Sequence, residues 1–435
     1  MRGAPWFREP GNPSRTRIRP TVAYLIVDPV GRYPAEMMPF LARQLNQGAV
    51  AVFSSRARLA LWQGKWSKQV GGNVLDTYLA PGAPSVAVLA AEIRARWPEL
   101  LGVVSWDEES VQLGAALAEE LGLGWNSRQI IERCRNKAVM KDYLRKTGRV
   151  RVNAGAVVRD AAQARAFQRR VGGWPIVVKP TGGAGSEHVF FARHEADLLR
   201  RCQQVLQSGS GEVLLEEYVG GVEFCVNGQV DRAGDLLATD VWVYDRRGSH
   251  GFDNLYFETT TVAASDPRFG QLAEYASRVV EALRLRRAPI HLEVKVDAKG
   301  PCIIEIGARL AGGNLPVLAS ALHGRSLLEL AACHYLGELP ARRGDVDYAR
   351  YDRWQAKVVL GVQTHAIPRI RAVRGLDEVQ RLPTFHEVGF IRPVGTGAPQ
   401  TIDLDTRGWE VYLIGDDPEQ VARDGRRVRE LLRYE

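Results

Sequence analysis

A short apolar strand is predicted to end at Lys179 and to continue directly into a loop of small residues, Thr181-Gly182-Gly183-Ala184-Gly185-Ser186. Glycines let backbone N–H groups approach anionic oxygens closely, and the lysine adds a point charge at the base of the loop. This combination is typical of a phosphate-binding loop. It is not a Walker loop, because the pattern GxxxxGK[ST] is absent. The loop alone is equally compatible with a flexible turn, so the interpretation depends on other residues.

Two glutamates lie on a predicted hairpin that runs from His291 to Ile306. Pairing Asp297 with Pro301 across the turn places Glu293 directly opposite Glu305. Facing carboxylates repel each other unless a cation lies between them. Oxygen ligands beside a phosphate-bearing substrate favour Mg²⁺, which commonly uses one or two carboxylates together with phosphate oxygens and water. The alternative is an exposed pair of acids on a sheet.

An arginine follows the second glutamate by four positions, in the segment Ile306-Gly307-Ala308-Arg309-Leu310-Ala311-Gly312-Gly313. A guanidinium beside a metal pair can stabilise a transferred phosphate or an oxyanion. Further upstream, Asn136-Lys137 begins a helix. A single lysine there is usually solvated, so Lys137 gains meaning only from its partners.

A strand that ends in Glu216-Glu217-Tyr218-Val219 is the remaining candidate. The exposed backbone at the end of such a strand can pair with the edge of an adenine ring. Glu223, seven residues beyond Glu216, can accept hydrogen bonds from two ribose hydroxyls. A solvated acidic turn is the alternative.

The elements around these residues predict a protein with α/β and α+β parts. Strands at 22–27, 50–53 and 102–105 alternate with helices at 34–45, 86–96 and 108–121, which indicates a parallel sheet covered by helices. A helix at 128–147 opens a second segment, with strands near 154–158, 176–179 and 213–219, and helices at 160–171 and 195–208. Residues 222–245 and 289–306 are expected to be antiparallel, with a helix at 271–283 between them. The last part has strands at 356–362 and 409–414 and a helix at 418–432.

These elements divide the chain into five predicted segments. They are a flexible arm at 1–20, an N-terminal α/β domain at 21–126, a first lobe at 127–218, a second lobe with the metal site at 219–338, and a C-terminal lobe at 339–435.

The composition argues against a membrane-spanning protein, a nucleic-acid-binding protein and a disulfide framework. The 435 residues are 25% charged and 45% apolar, and no apolar run approaches the ~18 residues of a membrane span. The net charge of +8 raises the question of nucleic acid, but the basic residues are scattered, so we expect no nucleic-acid partner. The five cysteines have no CxxC spacing, which favours reduced thiols and a cytoplasmic location.

Taken together and in this order, the motifs resemble the ATP-grasp superfamily of carboxylate-amine ligases, most strongly over residues 126–315. The resemblance implies an ATP-grasp fold with a preceding parallel-sheet domain and a C-terminal lobe. It implies ATP and Mg²⁺ as cofactors, with Mn²⁺ able to replace Mg²⁺. The resemblance implies that Lys137 and Lys179 contact the phosphates and that the loop with Gly182, Gly183, Gly185 and Ser186 covers them. It implies that Glu216 and the Val219 backbone hold adenine, that Glu217 belongs to the same nucleotide site, and that Glu223 holds ribose. Glu293 and Glu305 would bind the metal, and Lys179 and Arg309 would act in catalysis.

One departure narrows the resemblance. Many ATP-grasp enzymes carry an asparagine metal ligand two residues after the second glutamate, but this chain has Gly307 there. The segment from Glu305 to Gly312 is more similar to L-amino-acid ligases, in which Glu-x-x-Ala-Arg-x-Ala-Gly recurs and which make dipeptides. The resemblance therefore implies small-molecule carboxylate and amine substrates, with amino acids foremost, and leaves a homodimer open.

Two other functions stay open at this point. One is a bicarbonate-using ATP-grasp reaction of the purine-ligase or carboxylase type, and the Gly307 pattern argues mildly against it. The other is a non-catalytic nucleotide-binding regulatory or nucleic-acid-binding protein, for which the charge of +8 is the support.

Overall fold

A computed structural model describes residues 22–44, 46–183, 185, 187–337 and 342–435. The predicted N-terminal arm, residues 1–20, lies outside the described residues. The same holds for Ser186 of the predicted phosphate loop and for the predicted boundary between residues 338 and 339. Within the described ranges, no helix is long and apolar enough to span a membrane.

The N-terminal part is a four-stranded parallel sheet with the strand order β3-β2-β1-β4. Its elements are β1 Val22–Val27, α1 Arg32–Gln44, β2 Gln47–Phe53, α2 Arg56–Leu61, α3 Ser67–Val70, β3 Val74–Leu79, α4 Val86–Arg96, β4 Leu100–Val104 and α5 Val111–Leu121. Tyr24 and Ile26 pack into one apolar cluster and Leu25 and Val27 into another, so both faces of the sheet are buried. The parallel sheet is confirmed. Strand β3 was not predicted, because it is a half-buried edge strand whose apolar run is interrupted by polar residues.

The next part is a second four-stranded sheet, antiparallel, with the order β5-β8-β6-β7. Its elements are α6 Arg128–Arg135, α7 Lys137–Thr147, β5 Gly155–Val158, α8 Ala161–Val171, β6 Ile176–Pro180, β7 Phe190–Ala192, α9 Glu195–Val205 and β8 Val213–Glu217. The single helix predicted over 128–147 is wrong in one respect. It is two helices, because the Asn136 side chain accepts hydrogen bonds from the N–H groups of Ala138 and Val139 and starts a new helix. This break directs Lys137 into the site described below.

The rest of the chain is built on an eight-stranded antiparallel sheet with the order β13-β12-β9-β10-β11-β14-β17-β16. Its elements are β9 Val222–Val230, β10 Leu236–Ser249, β11 Phe252–Val262, α10 Pro267–Leu283, β12 Ala288–Asp297, β13 Gly300–Gly307, α11 Leu315–His323, α12 Leu327–Leu336, α13 Tyr348–Tyr351, β14 Gln355–Leu360, β15 Val373–Arg374, α14 Leu376–Gln380, β16 Phe385–Ile391, β17 Trp409–Gly415, α15 Pro418–Leu431 and β18 Arg433–Tyr434. The C-terminal strands β14, β17 and β16 extend the sheet of the predicted second lobe, so the predicted C-terminal lobe is continuous with it. Strands β15 and β18 form a small separate pair.

Helix α10 covers this sheet with a nearly continuous apolar face. Asp266 caps the helix and Pro267 occupies its first turn, which suits a residue without an N–H donor. Buried residues recur along the helix at 269, 272, 275, 276, 279, 280 and 283, which is the spacing of one helical face. The helix therefore shares one apolar core with strands β9, β12 and β13, which carry the side chains of the site described below.

A long hairpin, β10 and β11, was only partly predicted, and its tip reaches two other parts of the molecule. Asp253 near the tip forms an ion pair of 2.8 Å with Arg193, which follows β7. A ring nitrogen of His250 lies 2.6 Å from the carbonyl oxygen of Thr401 in the C-terminal segment. The hairpin thus spans the space between the four-stranded antiparallel sheet and the C-terminal segment.

Candidate active site

Strands β12 and β13 place two carboxylates side by side. Glu293 pairs directly with Glu305, as predicted. The predicted pairing of Asp297 with Pro301 is wrong, because Asp297 pairs with Gly300 across a tighter turn. A register shift next to Glu293 compensates for the missing turn residue and brings the two glutamates opposite each other.

A lysine, an arginine and a histidine lie close to these carboxylates. The Lys137 Nζ atom lies 2.9 Å from Glu305 Oε2 and donates a hydrogen bond of 2.9 Å to the Gly183 carbonyl oxygen. The Arg246 guanidinium lies 3.6 Å from Glu293 Oε2, and His291 lies 3.6 Å from its other oxygen. Burial raises the pKa of Glu293, but His291 and Arg246 outweigh it and hold that pKa at about 2. Glu293 is therefore ionised, and it lies beside the Glu305 carboxylate on the neighbouring strand.

The glycine loop faces these glutamates from strand β6. Gly182, Gly183 and Gly185 line the same cleft as Lys179, Glu293 and Glu305. Gly183 and Gly185 have φ angles of +94° and +68°, which a residue with a side chain adopts only with strain. Lys137 Nζ joins the loop to Glu305, so the phosphate loop and the carboxylate pair form one site.

The far end of the cleft is formed by the end of β8 and the start of β9. Glu216, Glu217, Val219 and Glu223 line it together with the residues above. The Glu223 carboxylate lies 2.6 Å from Arg246 and 3.8 Å from Lys295. Every nucleotide-site residue predicted from the sequence within the described part of the chain therefore lines this one cleft.

The Glu216 side chain has a different environment from the one that the sequence suggested. Its carboxylate is 2% exposed and lies between two ammonium groups, 2.9 Å from Lys179 and 2.7 Å from Lys141. The predicted adenine contact through this carboxylate is therefore disfavoured, because both oxygens already bind lysines. Lys141 lies one helical turn after Lys137 and was not predicted as a site residue.

Three residues of the β10–β11 hairpin also line the cleft and were not predicted. They are Arg246, Asn254 and Tyr256. The Arg246 guanidinium lies over the Tyr256 ring, 3.9 Å from its centroid, and between Glu223 and Glu293. The β-branched and aromatic residues at 256–262 are the sequence signal that could have identified β11.

A second cavity of about 540 Å³ adjoins this first cleft and has Arg309 in its wall. The two cavities share the glycine loop and both glutamates. Arg309 Nε donates a hydrogen bond of 2.6 Å to Glu108, which also contacts Arg135. Burial raises the pKa of Glu108, but the two arginines outweigh it and hold that pKa at about 2. Arg309 is therefore held in the wall of the second cavity, which also contains Glu293 and Glu305.

Residues from the N-terminal sheet and the C-terminal segment complete the second cavity. The crevice at the carboxyl ends of β1 and β4 supplies Tyr33, Trp106 and the acidic residues 107–109. Glu410 from β17 accepts hydrogen bonds from Tyr412 and Arg407. The walls are apolar and aromatic in part, and residues 312 and 313, both glycines, leave space beside Arg309.

The available ligands suit a magnesium ion that is held partly by phosphate and water, and not a metal ion held by protein side chains alone. In the ranges that the structure describes, no group of three or more His, Cys, Asp or Glu side chains could hold a metal ion alone. Two adjacent carboxylates beside a glycine loop match the coordination preference of Mg²⁺, which commonly completes its ligand shell with phosphate oxygens and water. Glu293 and Glu305 are the residues that would hold it.

The Arg309 side chain explains why residue 307 is a glycine. A Cβ atom at this position would lie 3.1 Å from Nε and 3.2 Å from Cζ of Arg309. Glycine therefore leaves the space that the guanidinium occupies, and an asparagine here would displace it.

We accordingly expect Gly307→Asn to lower kcat about tenfold, because Arg309 is a predicted catalytic residue and a small displacement of such a group has a large effect on rate. Gly344→Asn, at a site with no atom within 4 Å of the added Cβ, is the matched control. An asparagine variant that bound metal more tightly at an unchanged kcat would contradict this explanation.

Comparison with known proteins points to the ATP-grasp resemblance that the sequence motifs indicate. Residues 173–316 match the ATP-grasp domain family. Dapdiamide A synthase of Enterobacter agglomerans is 29% identical over 241 residues, which cover 53% of this chain and 55% of that protein. An L-arginine-specific L-amino acid ligase of Bacillus subtilis is 25% identical over 234 residues, covering 52% and 55%. The chain thus aligns with about half the length of these curated relatives.

The fold is shared over a much longer stretch. The crystal structure of an L-amino acid ligase from Bacillus licheniformis superimposes with a TM-score of 0.74, covering 95% of this chain and 98% of that one at 16% identity. Residues 173–316 therefore form an ATP-grasp domain, and the chain has an ATP-grasp fold.

Proposed function

We propose that the protein is an ATP-dependent ligase that joins the carboxylate of one amino acid to an amine, most often that of a second amino acid. The observation that carries this proposal is a pair of adjoining cavities that share Glu293 and Glu305, with Arg309 in the wall of the second cavity. One cavity has the residues expected to bind a nucleotide, and the other has room for organic substrates. The names of the relatives, which include an amino acid ligase, support the substrate class.

The nucleotide is proposed to lie along the first cleft from Glu217 to Glu305. The backbone of residues 217–219 binds adenine, and Glu223 accepts hydrogen bonds from the ribose. Lys137, Lys179 and the glycine-loop amides bind the phosphates. Arg246 bridges Glu223 and Glu293, so a nucleotide that runs from ribose to metal passes this guanidinium, which adds a third cation.

Mg²⁺, or Mn²⁺ in its place, would be held by Glu293 and Glu305 and would neutralise charge on the phosphate oxygens. The residues of the chain position the reacting groups and stabilise the charge that develops on them. Lys179 and the loop amides position the γ-phosphate for in-line attack by the substrate carboxylate, which gives an acyl phosphate and ADP. The amine then attacks the acyl carbon, Arg309 stabilises the oxyanion, and phosphate leaves as the amide forms.

The second cavity favours amino acids over bicarbonate. Its volume of about 540 Å³ exceeds what a bicarbonate ion needs, and Tyr33, Trp106 and Leu315 give it an apolar wall. The space left by the two glycines after Ala311 suits a sizeable side chain. These substrates are soluble metabolites, so we further propose that the protein acts in the cytoplasm without a nucleic-acid or membrane partner. A homodimer remains a prediction.

The proposal is tested by phosphate release from Mg·ATP across a matrix of paired L-amino acids, with bicarbonate in separate wells and products identified by mass. We expect release that depends on one pair or a few pairs, with a product mass equal to the sum of the two minus water. Release that needs bicarbonate instead would contradict the proposal. Saturable ATP binding with no turnover in any well would favour a regulatory nucleotide site.

Closure of the glycine loop should protect the acyl phosphate from water. Gly183→Val is therefore expected to leave ATP bound but to raise the ratio of ADP to amide about tenfold, because a β-branched residue at φ +94° costs about 1–2 kcal/mol and holds the loop away. The measurement is ADP and amide from the same reaction. Gly173→Val, in open space at ordinary φ, is the control, and an unchanged ratio in the Gly183 variant would contradict loop closure over the intermediate.

A further inference from the structure

A buried triad of two lysines and one glutamate lies beneath the phosphate site. Glu216 on β8 is 2% exposed, Lys141 on α7 is 1% exposed and Lys179 on β6 is 4% exposed. The glutamate binds Lys141 through Oε1 at 2.7 Å and Lys179 through Oε2 at 2.9 Å. The three groups thus form one continuous ionic contact.

Lys141 has no direct access to a ligand in the cleft. Lys179 and Glu216 line the nucleotide cleft, whereas Lys141 is not among the lining residues. Its ammonium also donates a hydrogen bond of 2.7 Å to Asn153, whose amide donates to the Glu217 carbonyl oxygen. Lys141 is therefore held rigidly behind the carboxylate.

The charges of the triad do not balance. A buried ion pair of Lys179 and Glu216 alone would be neutral, and an additional buried ammonium is costly unless an anion offsets it. Burial lowers the pKa of Lys141 to about 8, against the attraction of Glu216 and with the repulsion of Lys179. The excess positive charge faces the cleft through Lys179, where the phosphates of a nucleotide would supply the missing anion.

We propose that Lys141 is a positioning residue for nucleotide binding, which engages the Glu216 carboxylate so that the charge of Lys179 remains available to phosphate. Without Lys141, Glu216 would bind Lys179 alone and neutralise it. This inference rests on the proposed function only in that the cleft binds ATP. It assigns Glu216 to the organisation of the two lysines rather than to adenine.

The test is the dissociation constant of Mg·ADP, measured by calorimetry on the full chain. Lys141→Met is expected to weaken binding about tenfold, which corresponds to about 1.4 kcal/mol. Adding Glu216→Gln to that variant is expected to restore affinity to within about threefold of wild type, because the carboxylate that captures Lys179 is gone. Lys141→Arg should retain affinity. Lys146→Met, an exposed lysine on the same helix, is the matched control.

Two outcomes would overturn the inference. One is a double variant that binds as weakly as Lys141→Met or more weakly, which would mean that Glu216 itself contacts the nucleotide. The other is wild-type affinity in a folded Lys141→Met. If that single variant does not fold, the comparison is made in the Glu216→Gln background, where removal of Lys141 should change affinity less than threefold and a larger loss would refute the mechanism. A wild-type protein that binds no nucleotide would overturn the proposed function as well, whereas normal wild-type binding confines a failure to this inference.

Discussion

Replacing Glu305 by alanine is expected to abolish ADP formation, with a loss of turnover of about 10³-fold or more. Glu305 faces Glu293 across the β12–β13 ladder and is one of two carboxylates that would hold the metal ion. Loss of a metal that neutralises phosphate charge removes several kcal/mol of transition-state stabilisation, and each 1.36 kcal/mol corresponds to tenfold in rate. The measurement is ADP release under saturating Mg·ATP and substrates.

Glu305→Gln keeps the shape of the side chain and separates charge from packing. It should lose as much activity as the alanine variant and retain its thermal unfolding midpoint. Glu274→Ala, at an exposed glutamate on α10, is the matched control. Unchanged ADP release in Glu305→Ala would refute the assignment of the carboxylate pair to the metal.

Replacing Arg309 by alanine is expected to lower kcat for amide formation by about 10²–10³-fold, while the affinity for Mg·ADP changes little. Arg309 lines the second cavity together with Glu293 and Glu305, and Glu108 holds it there. Removal of one donor to a developing oxyanion typically has an effect of this size. The measurement combines single-turnover amide formation with nucleotide binding.

Arg309→Lys tests geometry separately from charge. A lysine cannot reproduce the planar guanidinium that Glu108 holds through Nε. We therefore expect the kcat of Arg309→Lys to exceed that of the alanine variant by no more than about tenfold. Arg278→Ala, at an exposed arginine, is the control. If Arg309→Ala lost nucleotide affinity but kept kcat, the residue would belong to the nucleotide site and not to the amide-forming step.

The local parts of the site were predictable from sequence because they lie on short, strongly patterned segments. The alternation around Glu293 and Glu305 indicates a hairpin. The two carboxylates pair as predicted although the predicted turn is wrong, because a bulge next to Glu293 restores the register. The run of glycines after Lys179 indicates a loop with positive φ angles, which the structure has at Gly183 and Gly185. These features depend on neighbours within about fifteen positions of each other.

Contacts between distant segments were not predictable in the same way. Glu108 and Arg309 are separated by 201 positions, and no local pattern links them. Arg246 enters the cleft because the long β10–β11 hairpin crosses it, and the sequence pattern predicts only the first part of this hairpin. Glu216 was assigned to adenine from its place at the end of a strand, whereas Lys141, on a helix more than seventy residues earlier, decides its environment.

The central claim is that a substrate carboxylate attacks the γ-phosphate of ATP, and oxygen-18 transfer tests it most directly. The amino acid donor is labelled with oxygen-18 in its carboxylate, and the phosphate released during amide formation is examined by mass. An acyl phosphate requires one labelled oxygen to appear in each phosphate formed together with the amide. Amide formation with unlabelled phosphate would contradict the account.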